Sequence, residues 1–258
     1  MNLDRNLKGV YVIWLRELKR YWVDKARIIS SLAQPTLFLI ILGTGLSAAL
    51  SRSGSSAYGN NTLNFIYPGI IGMTILFTSI FSAVSIVWDR EFGFLKEVLV
   101  APVSRTAVAI GKALGGSTVA MIQGTLMLVF APFIGIALTP IIVIKLWLYM
   151  FLIAFSINSL GIIVAVRMRT MEGFQVVMNF FLFPMFLLSG ALFPIKNLPN
   201  WLSWLVRINP LTYGVDLLRQ TVIGPKISVF SPYTDIMFIA IFATITITIA
   251  VALFKRTD

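Results

Sequence analysis

The sequence predicts an all-α, polytopic membrane protein, and three observations lead to this class. Of its 258 residues, 58% are hydrophobic, and the mean hydropathy is +0.89. Soluble domains are usually about 45–50% apolar, so the excess indicates a lipid environment. Charged residues make up only 12%, roughly half the usual soluble share. The apolar residues also form long continuous runs, which predict helices rather than the alternating strands of a membrane barrel.

Composition also excludes several kinds of site. The chain contains no cysteine and no histidine, which rules out disulfides, thiolate or imidazole metal ligands and a histidine base. The phosphate-binding pattern GxxxxGK[ST] is missing, and the ten carboxylates are scattered. We therefore expect no catalytic residue, no metal and no cofactor on this chain. The net charge of +11 would suggest nucleic acid for a soluble protein, but here membrane topology explains it and we expect no nucleic-acid partner.

Residues 1–27 predict an amphipathic helix that lies along the membrane before the first span. Its apolar residues recur at helical spacing: Leu7, Val10, Tyr11, Trp14, Leu18 and Tyr21. The residues expected to mark this interfacial helix are Trp14, Arg16, Lys19 and Arg20. A cleaved signal peptide is the alternative, but the basic part is too long and the next apolar run is long enough to span.

Six predicted spans make up the transmembrane domain, residues 28–258. Each was compared with the roughly 20 apolar residues that a bilayer requires. They cover residues 28–50, 65–88, part of 106–138, 141–166, 174–193 and 235–254. Gly115-Gly116 and Pro132 are expected to break the third span, and Pro184 to interrupt the fifth.

The distribution of basic residues predicts the orientation of these spans. With the N-terminus inside, 15 of the 21 Lys and Arg fall on the inner side and 6 on the outer side. The positive-inside rule therefore puts both termini and the loop 89–105 in the cytoplasm. We expect a multi-pass protein of a cell's inner (plasma) membrane. Residues 51–64 then form an external loop.

The external stretch 194–232 predicts two short helices that dip into the outer leaflet. Trp201, Trp204 and Leu205 share one face of the first helix, and Leu211–Gln220 forms the second. The residues expected to define this hairpin are Trp201, Trp204, Asn209, Pro210, Tyr213 and Asp216. Trp and Tyr at this density suit the lipid headgroup level. A plain amphipathic loop is the alternative.

The polar residues inside the spans are mainly amides and hydroxyls. The amides are Gln34, Gln123, Asn158, Gln175 and Asn179. They serve either for hydrogen bonds between helices or as the lining of a pathway for an amphiphilic substrate. An acidic group in the middle of a span, typical of ion-coupled carriers, is missing.

The segment 91–105 predicts a charged amphipathic helix between two spans. Phe92, Leu95 and Leu99 share a face, Pro102 ends the helix, and Ser104 can cap the next one. Such a helix either lies passively on the lipid surface or docks into a soluble partner.

Two motifs resemble a known family. WDREFGFLKEVLVAPVSR, residues 88–105, is similar to the cytoplasmic loop of type-2 permeases of ATP-binding-cassette (ABC) exporters, and NPLTYGVDLLR, residues 209–219, to the segment before their last span. The order of elements along the whole chain also resembles this family, most closely its daunorubicin-resistance and nodulation-factor export permeases.

The resemblance implies a permease subunit without its own ATPase. ATP and Mg²⁺ would bind two copies of a separate ABC ATPase subunit, and a second permease would complete the transporter. A homodimer is expected, and a pair of two different permeases is the alternative. The family's coupling helix matches the loop here, so the implied ATPase contacts are Arg90, Glu91, Phe92, Gly93, Phe94, Leu95, Lys96, Glu97 and Leu99. The N-terminal helix would be a second contact.

Two other functions stay open at this stage: an ion-coupled secondary carrier that acts alone, and a membrane scaffold that does not transport. The substrate classes that stay open are drug, lipid, lipid-linked saccharide and polysaccharide, and the apolar pathway favours the amphiphilic ones. If the permease pairs, glycines such as Gly43, Gly45 and Gly190 are candidates for close packing between copies.

Overall fold

A computed structural model describes residues 3–53, 62–91, 104–196 and 198–255, and every regular element within these ranges is helical. The helices are α1 Leu3–Val23, α2 Lys25–Ser53, α3 Thr62–Glu91, α4 Arg105–Met127, α5 Pro140–Arg167, α6 Met171–Leu187, α7 Asn200–Ile208, α8 Pro210–Val222 and α9 Pro232–Lys255. Two short 3₁₀ turns, Leu128–Phe130 and Pro132–Ile134, extend α4, and a third, Pro225–Ile227, precedes α9.

Five helices of the described part are long and apolar enough to cross a membrane, namely α2, α3, α4 with its 3₁₀ extension, α5 and α9. The predicted fifth span is the exception. Its helix, α6, has 17 residues, or about 26 Å, against roughly 30 Å of hydrocarbon. α6 ends at Leu187 rather than at residue 193, because the chain turns through Gly190 with φ +71°. The fifth predicted span is thus a shorter apolar helix.

Helix α3 is the centre of the bundle. It packs against α2, α4, α5, α6 and α8, and an unbroken run of its residues from Phe65 to Leu76 is buried. The Tyr67 hydroxyl donates to the Met127 carbonyl at 3.0 Å, at the point where α4 changes to 3₁₀ geometry. A movement of either end of α3 would therefore displace the helices that pack against it.

Two expected helix breaks do not occur. α4 continues through Gly115-Gly116, because these glycines allow other elements to approach closely. A Cβ on Gly115 would lie 2.7 Å from the Glu17 Cβ, and one on Gly116 would lie 2.6 Å from the Ser82 Oγ. α6 likewise continues through Pro184, which lies in its last turn. The expected break near Pro132 is confirmed, since Gly135 there has φ +80°.

The segments predicted to share one side of the membrane do meet at one end of the bundle. The Ser104 N–H donates to the Asn6 Oδ1, and the Arg105 guanidinium donates to the Lys255 carbonyl. Ser104 also caps α4, as predicted, by accepting from the Ala107 N–H at 3.1 Å. We call this end the junction end, and the opposite one, where α7 and α8 lie, the hairpin end. That the junction end faces the cytoplasm stays a prediction.

Helix α1 runs beside α4 in the same direction. Its buried stripe consists of Gly9, Ile13, Glu17 and Tyr21. Leu7 and Tyr11, assigned from the sequence to the apolar face, remain 59% and 57% exposed. The predicted helix is confirmed, but a glutamate occupies the centre of the face that packs on the bundle. Whether the exposed face lies on lipid stays a prediction.

Candidate functional site

Four charged side chains from three helices form a buried ion cluster near the junction end. The cluster consists of Arg16 and Glu17 of α1, Asp89 of α3 and Lys112 of α4. The Lys112 Nζ lies 2.7 Å from the Asp89 Oδ2 and 3.2 Å from the Glu17 Oε1. The Arg16 Nη2 contacts the same two oxygens at 2.9 and 3.4 Å. Two positive and two negative groups therefore balance one another.

The cluster is shielded from solvent on one side and reaches solvent on the other. The Lys112 side chain is 3% exposed and that of Glu17 6%, whereas Arg16 is 34% exposed. Burial by itself would raise the pKa of Glu17, but the charges of Lys112 and Arg16 outweigh burial and hold it below its ordinary value. Ser85 accepts a further hydrogen bond from the Lys112 Nζ at 2.9 Å. Glu17 is thus an ionised link between α1 and α4.

Three consecutive residues at the end of α3 reach three different parts of the chain. Asp89 belongs to the ion cluster. The Arg90 Nη1 donates to the carbonyls of Val166 and Met168, at the end of α5, at 2.7 and 2.9 Å. The Glu91 Oε2 accepts from the Met171 N–H, at the start of α6, at 3.2 Å. We call the ion cluster together with Arg90 and Glu91 the junction.

The connection between α1 and α2 is clamped by a residue of α4. Only Asp24 separates the two helices. The Tyr21 hydroxyl donates to the Gln123 Oε1, and the Gln123 Nε2 donates to the Ser31 Oγ at 2.8 Å. One amide therefore holds both sides of the break, and α1 and α2 are coupled to α4 at the same point. This confirms an interhelical role for Gln123.

A cavity of about 430 Å³ opens beside the junction, between α1, α2, α3 and α6. Phe77, Phe81, Trp88 and Met73 supply apolar surface, and Gln34, Gln175 and Thr78 supply polar groups. Arg20 also lines it, with its guanidinium carbon 4.6 Å from the centre of the Trp88 ring. Mostly apolar walls with a few polar groups are typical of sites for amphiphilic small molecules.

At the hairpin end, α7 and α8 are anchored mainly by bonds between side chains and backbone. The Asn209 Nδ2 donates to the Met185 carbonyl at 2.7 Å, and its Oδ1 accepts from the Leu211 N–H at 3.0 Å. The Arg219 Nη2 donates to the Gly190 carbonyl at 2.8 Å. α8 is buried from Pro210 to Gln220, so it enters the bundle instead of covering it.

A known protein family matches most of this chain. The family model described as ABC-2 type transporter matches residues 8–223. The chain belongs to the ABC-2 type transporter family. This confirms the resemblance carried by residues 88–105 and 209–219, and identifies a membrane subunit of an ABC transporter, a transport protein rather than an enzyme.

Two of three relatives of this ABC-2 permease have names that refer to transport. A chain of Cyanophora paradoxa named as the transport permease ycf38 is 32% identical over 229 residues, which cover 85% of this chain and 78% of the relative. The multidrug ABC transporter permease YbhR of Escherichia coli (strain K12) is 30% identical over 164 residues, 60% of this chain and 43% of the relative. Nodulation protein J of Sinorhizobium fredii is 26% identical over 200 residues, 77% and 74% of the two chains.

The predicted site residues of the permease fall into three groups. Of the expected coupling helix, Arg90 and Glu91 lie in the junction, and the remaining seven, Phe92, Gly93, Phe94, Leu95, Lys96, Glu97 and Leu99, lie outside the described residues. In α1, Arg16 enters the ion cluster, Trp14 donates to the Thr118 Oγ1 at 3.1 Å, and Lys19 is exposed. In the hairpin, Trp201 and Trp204 are exposed, whereas Asn209, Pro210, Tyr213 and Asp216 are buried.

Sequence reasoning missed Glu17, Asp89 and Lys112 as a functional group. By the sequence pattern, Asp89 lies one residue beyond the predicted second span, and Lys112 is one of the 15 basic residues on the inner side. A usable signal existed, since Lys112 lies seven residues inside a predicted span that is otherwise almost uncharged. A lysine placed there needs a buried counter-charge. Its partners, 95 and 23 residues away, could not be chosen from the pattern alone.

Proposed function

We propose that this permease exports an amphiphilic or lipid-like substrate, powered by two copies of a separate ABC ATPase that dock on residues 91–101. The observation that carries the proposal is the junction. Asp89, Arg90 and Glu91 join α3 to α1 and α4, to the end of α5 and to the start of α6, where the proposed docking segment begins. ATP and Mg²⁺ bind the ATPase, and this chain contributes neither catalytic nor metal-binding groups.

Movement of the docked segment acts on the bundle through these bonds. α3 is the central helix, and each of its last three residues contacts a different neighbour. Displacement of its end by a closing ATPase therefore moves α1, α4, α5 and α6 together rather than bending one loop. Two arrangements of the bundle, each favoured by one state of the ATPase, are enough for transport.

The cavity beside the junction supports the proposed substrate class. Its volume lies within the roughly 300–1,000 Å³ of small-molecule sites. The aromatic walls suit the apolar part of an amphiphile, and Arg20, Gln34 and Gln175 suit a polar head. The relatives named for multidrug transport and for nodulation are compatible with such substrates. A second permease copy, as a homodimer, completes the pathway.

Docking is tested by co-purification with the cognate ABC ATPase. Phe94→Ala removes an aromatic anchor, which in interfaces commonly costs about 2 kcal/mol or more, so ATPase binding should fall roughly thirtyfold. Lys96→Ala removes only a rim charge and should change binding by about 1 kcal/mol or less. Trp201→Ala, at an exposed aromatic on α7, is the matched control and should leave binding unchanged. Unchanged binding of the Phe94→Ala variant would refute docking through this segment.

Orientation is tested by single cysteines, since the chain has none of its own. In intact cells an impermeant thiol reagent should label a cysteine at Ser55 but not one at Lys8 or Lys96. Labelling of position 96 would place the docking segment outside the cell and exclude an ATPase partner there.

A further inference from the structure

A buried carboxyl group near the start of α9 lacks a positive partner. Asp235 is fully buried, and its Oδ2 accepts from the Gln220 Nε2 of α8 at 2.8 Å. The other oxygens of the same two groups, Asp235 Oδ1 and Gln220 Oε1, are also buried and have no hydrogen-bond donor. The carboxyl of Asp235 and the amide of Gln220 thus share one hydrogen bond, and each has one oxygen without a donor.

The charged groups that face Asp235 do not neutralise it. On α8 these are Asp216, Arg219 and Tyr213. Asp216 adds negative charge, and its oxygens accept from the backbone N–H groups of Val229 and Phe230. Arg219 donates to the carbonyls of Phe65, Gly190 and Ala191.

The remaining neighbours supply no cation either. The Tyr213 hydroxyl donates to the Arg207 carbonyl, and Lys145, the charged residue at this end of α5, is exposed. No cation of the described residues forms an ion pair with Asp235 within 4 Å. An ionised Asp235 would thus be a buried, unpaired charge beside a second carboxylate.

We propose that Asp235 is a proton-binding site, in which the protonated carboxyl and the Gln220 amide form an acid–amide pair. A single proton on Oδ1 supplies the missing donor and removes the unpaired buried charge at the same time. Without it, two acceptors stay unsatisfied, an arrangement that proteins rarely tolerate. The site lies at the contact of α8 with α9, so its protonation holds the hairpin against the last span. The inference does not depend on docking of an ATPase.

The sign of the pH dependence follows from proton counting. The folded chain keeps a proton that an unfolded aspartate releases above roughly pH 4. Stability therefore falls as pH rises, until the folded chain also releases it. The titration of Asp235 should be easy to detect in this chain. Without histidine or cysteine, no other side chain ordinarily titrates between about pH 6 and 8.

The experiment compares wild type with Asp235→Asn, which keeps the shape of the neutral acid, using the purified full-length chain in detergent. Between about pH 6 and 8, the melting temperature of wild type should fall by about 3 °C or more per pH unit, and that of Asp235→Asn should stay level. Glu172→Gln, at an exposed carboxylate of α6, is the matched control and should follow wild type. Parallel curves for wild type and Asp235→Asn would overturn the proposal.

Infrared spectroscopy of wild type gives a readout that does not require a folded variant. The C=O stretch of a protonated carboxylic acid should be present at pH 6 and disappear on alkalinisation. Its absence at pH 6 would show an ionised, hydrated Asp235 and refute the proposal. A metal cation is the alternative occupant, and it is tested with Na⁺ or K⁺ against choline at equal ionic strength. If only the metal cations raise the melting temperature of wild type, and Asp235→Asn does not respond, the site binds a metal cation and the proton assignment is wrong.

Discussion

The two ends of the bundle both contain buried charges, but they connect them differently. At the junction end, Lys112 and Arg16 pair with Glu17 and Asp89, so side chains of three helices bond directly to one another. At the hairpin end, Arg219 donates to backbone carbonyls, and backbone N–H groups donate to Asp216. The ion cluster joins three helices through ion pairs, in addition to the bonds that Arg90 and Glu91 make to backbone groups. At the hairpin end, Arg219 and Asp216 bond to backbone groups.

This difference indicates where the protein can move. Ion-paired side chains are long and can exchange partners while the helices that carry them shift. Bonds to backbone groups fix a turn in one conformation, because the backbone groups cannot reorient without unfolding it. We infer that rearrangement during transport occurs at the ion cluster and that the hairpin stays rigid. The following predictions test the contrast.

Lys112→Met should have the largest effect. It leaves Glu17 and Asp89 buried with only the partly exposed Arg16, and breaking a buried ion pair in this way typically costs about 3–5 kcal/mol. The free energy of unfolding in detergent measures the loss. Adding Asp89→Asn should restore most of it, because Arg16 and Glu17 remain as a balanced pair. A double variant whose loss equals the sum of the two single losses would show that the cluster is not a unit.

Arg219→Met should cost less, about 2–3 kcal/mol, because it removes charged hydrogen bonds to carbonyls that are buried. Here neutralising the nearby acid should not help. Asp216→Asn replaces one of the two oxygens that accept from the Val229 and Phe230 N–H groups by an NH2 donor, so the two losses should add. Recovery of stability in the Arg219→Met/Asp216→Asn variant would mean that the hairpin end also depends on a charge pair.

Gly115→Ala should separate α1 from α4. The new Cβ would lie 2.7 Å from the Glu17 Cβ, and overpacking of this kind costs about 1–2 kcal/mol. Gly45→Ala is the control, since a Cβ there meets no atom within 4 Å of its own chain. The control should be neutral, or stabilise α2 by up to about 1 kcal/mol. If it blocks pairing of two copies in a cross-linking assay instead, Gly45 lies in the dimer interface.

The smallest effect should be the acid sensitivity of the ion cluster. The pKa of Glu17 is lowered on folding, so its contribution to stability is present above its ordinary value of 4.5 and is lost as pH falls below it. Between roughly pH 5 and 3.5, the melting temperature of wild type should therefore fall more steeply with decreasing pH than that of Glu17→Gln. Equal slopes would mean that Glu17 is not ionised in the folded chain.

The sequence predicts individual helices well, because their signals are local. The apolar runs, the cap at Ser104 and the start of the second hairpin helix after Asn209-Pro210 each depend on a few neighbouring residues. The short α6 and the continuous α4 could not be predicted, because glycine permits both a turn and a close approach. Gly190 makes a turn, Gly115 receives a neighbouring helix, and Gly43 packs on Leu63 of the same chain.

The candidate site could be predicted only in part, for a different reason. Arg90 and Glu91 are expected as contacts for a partner, and Arg16 as part of an interfacial helix. In the structure all three side chains also bond within the chain. Glu17 lies on the polar side of the hydrophobic pattern of α1, yet it is buried because Lys112 is opposite. Such a pair is specified by tertiary structure, and no periodicity within α1 or α4 encodes it.

The distance along the chain between Glu17 and Lys112 has a consequence for biogenesis. They are 95 residues apart, so at about 5–20 residues per second a ribosome adds the lysine about 5–20 s after the glutamate. During that interval the carboxylate has no ammonium partner, and an isolated charge is strongly disfavoured in lipid. Nascent α1 is therefore expected to lie at the water-facing surface of the bilayer until α4 is inserted. The interfacial helix predicted from the sequence then describes an early stage of assembly, and closure of the ion cluster marks the arrival of the third span.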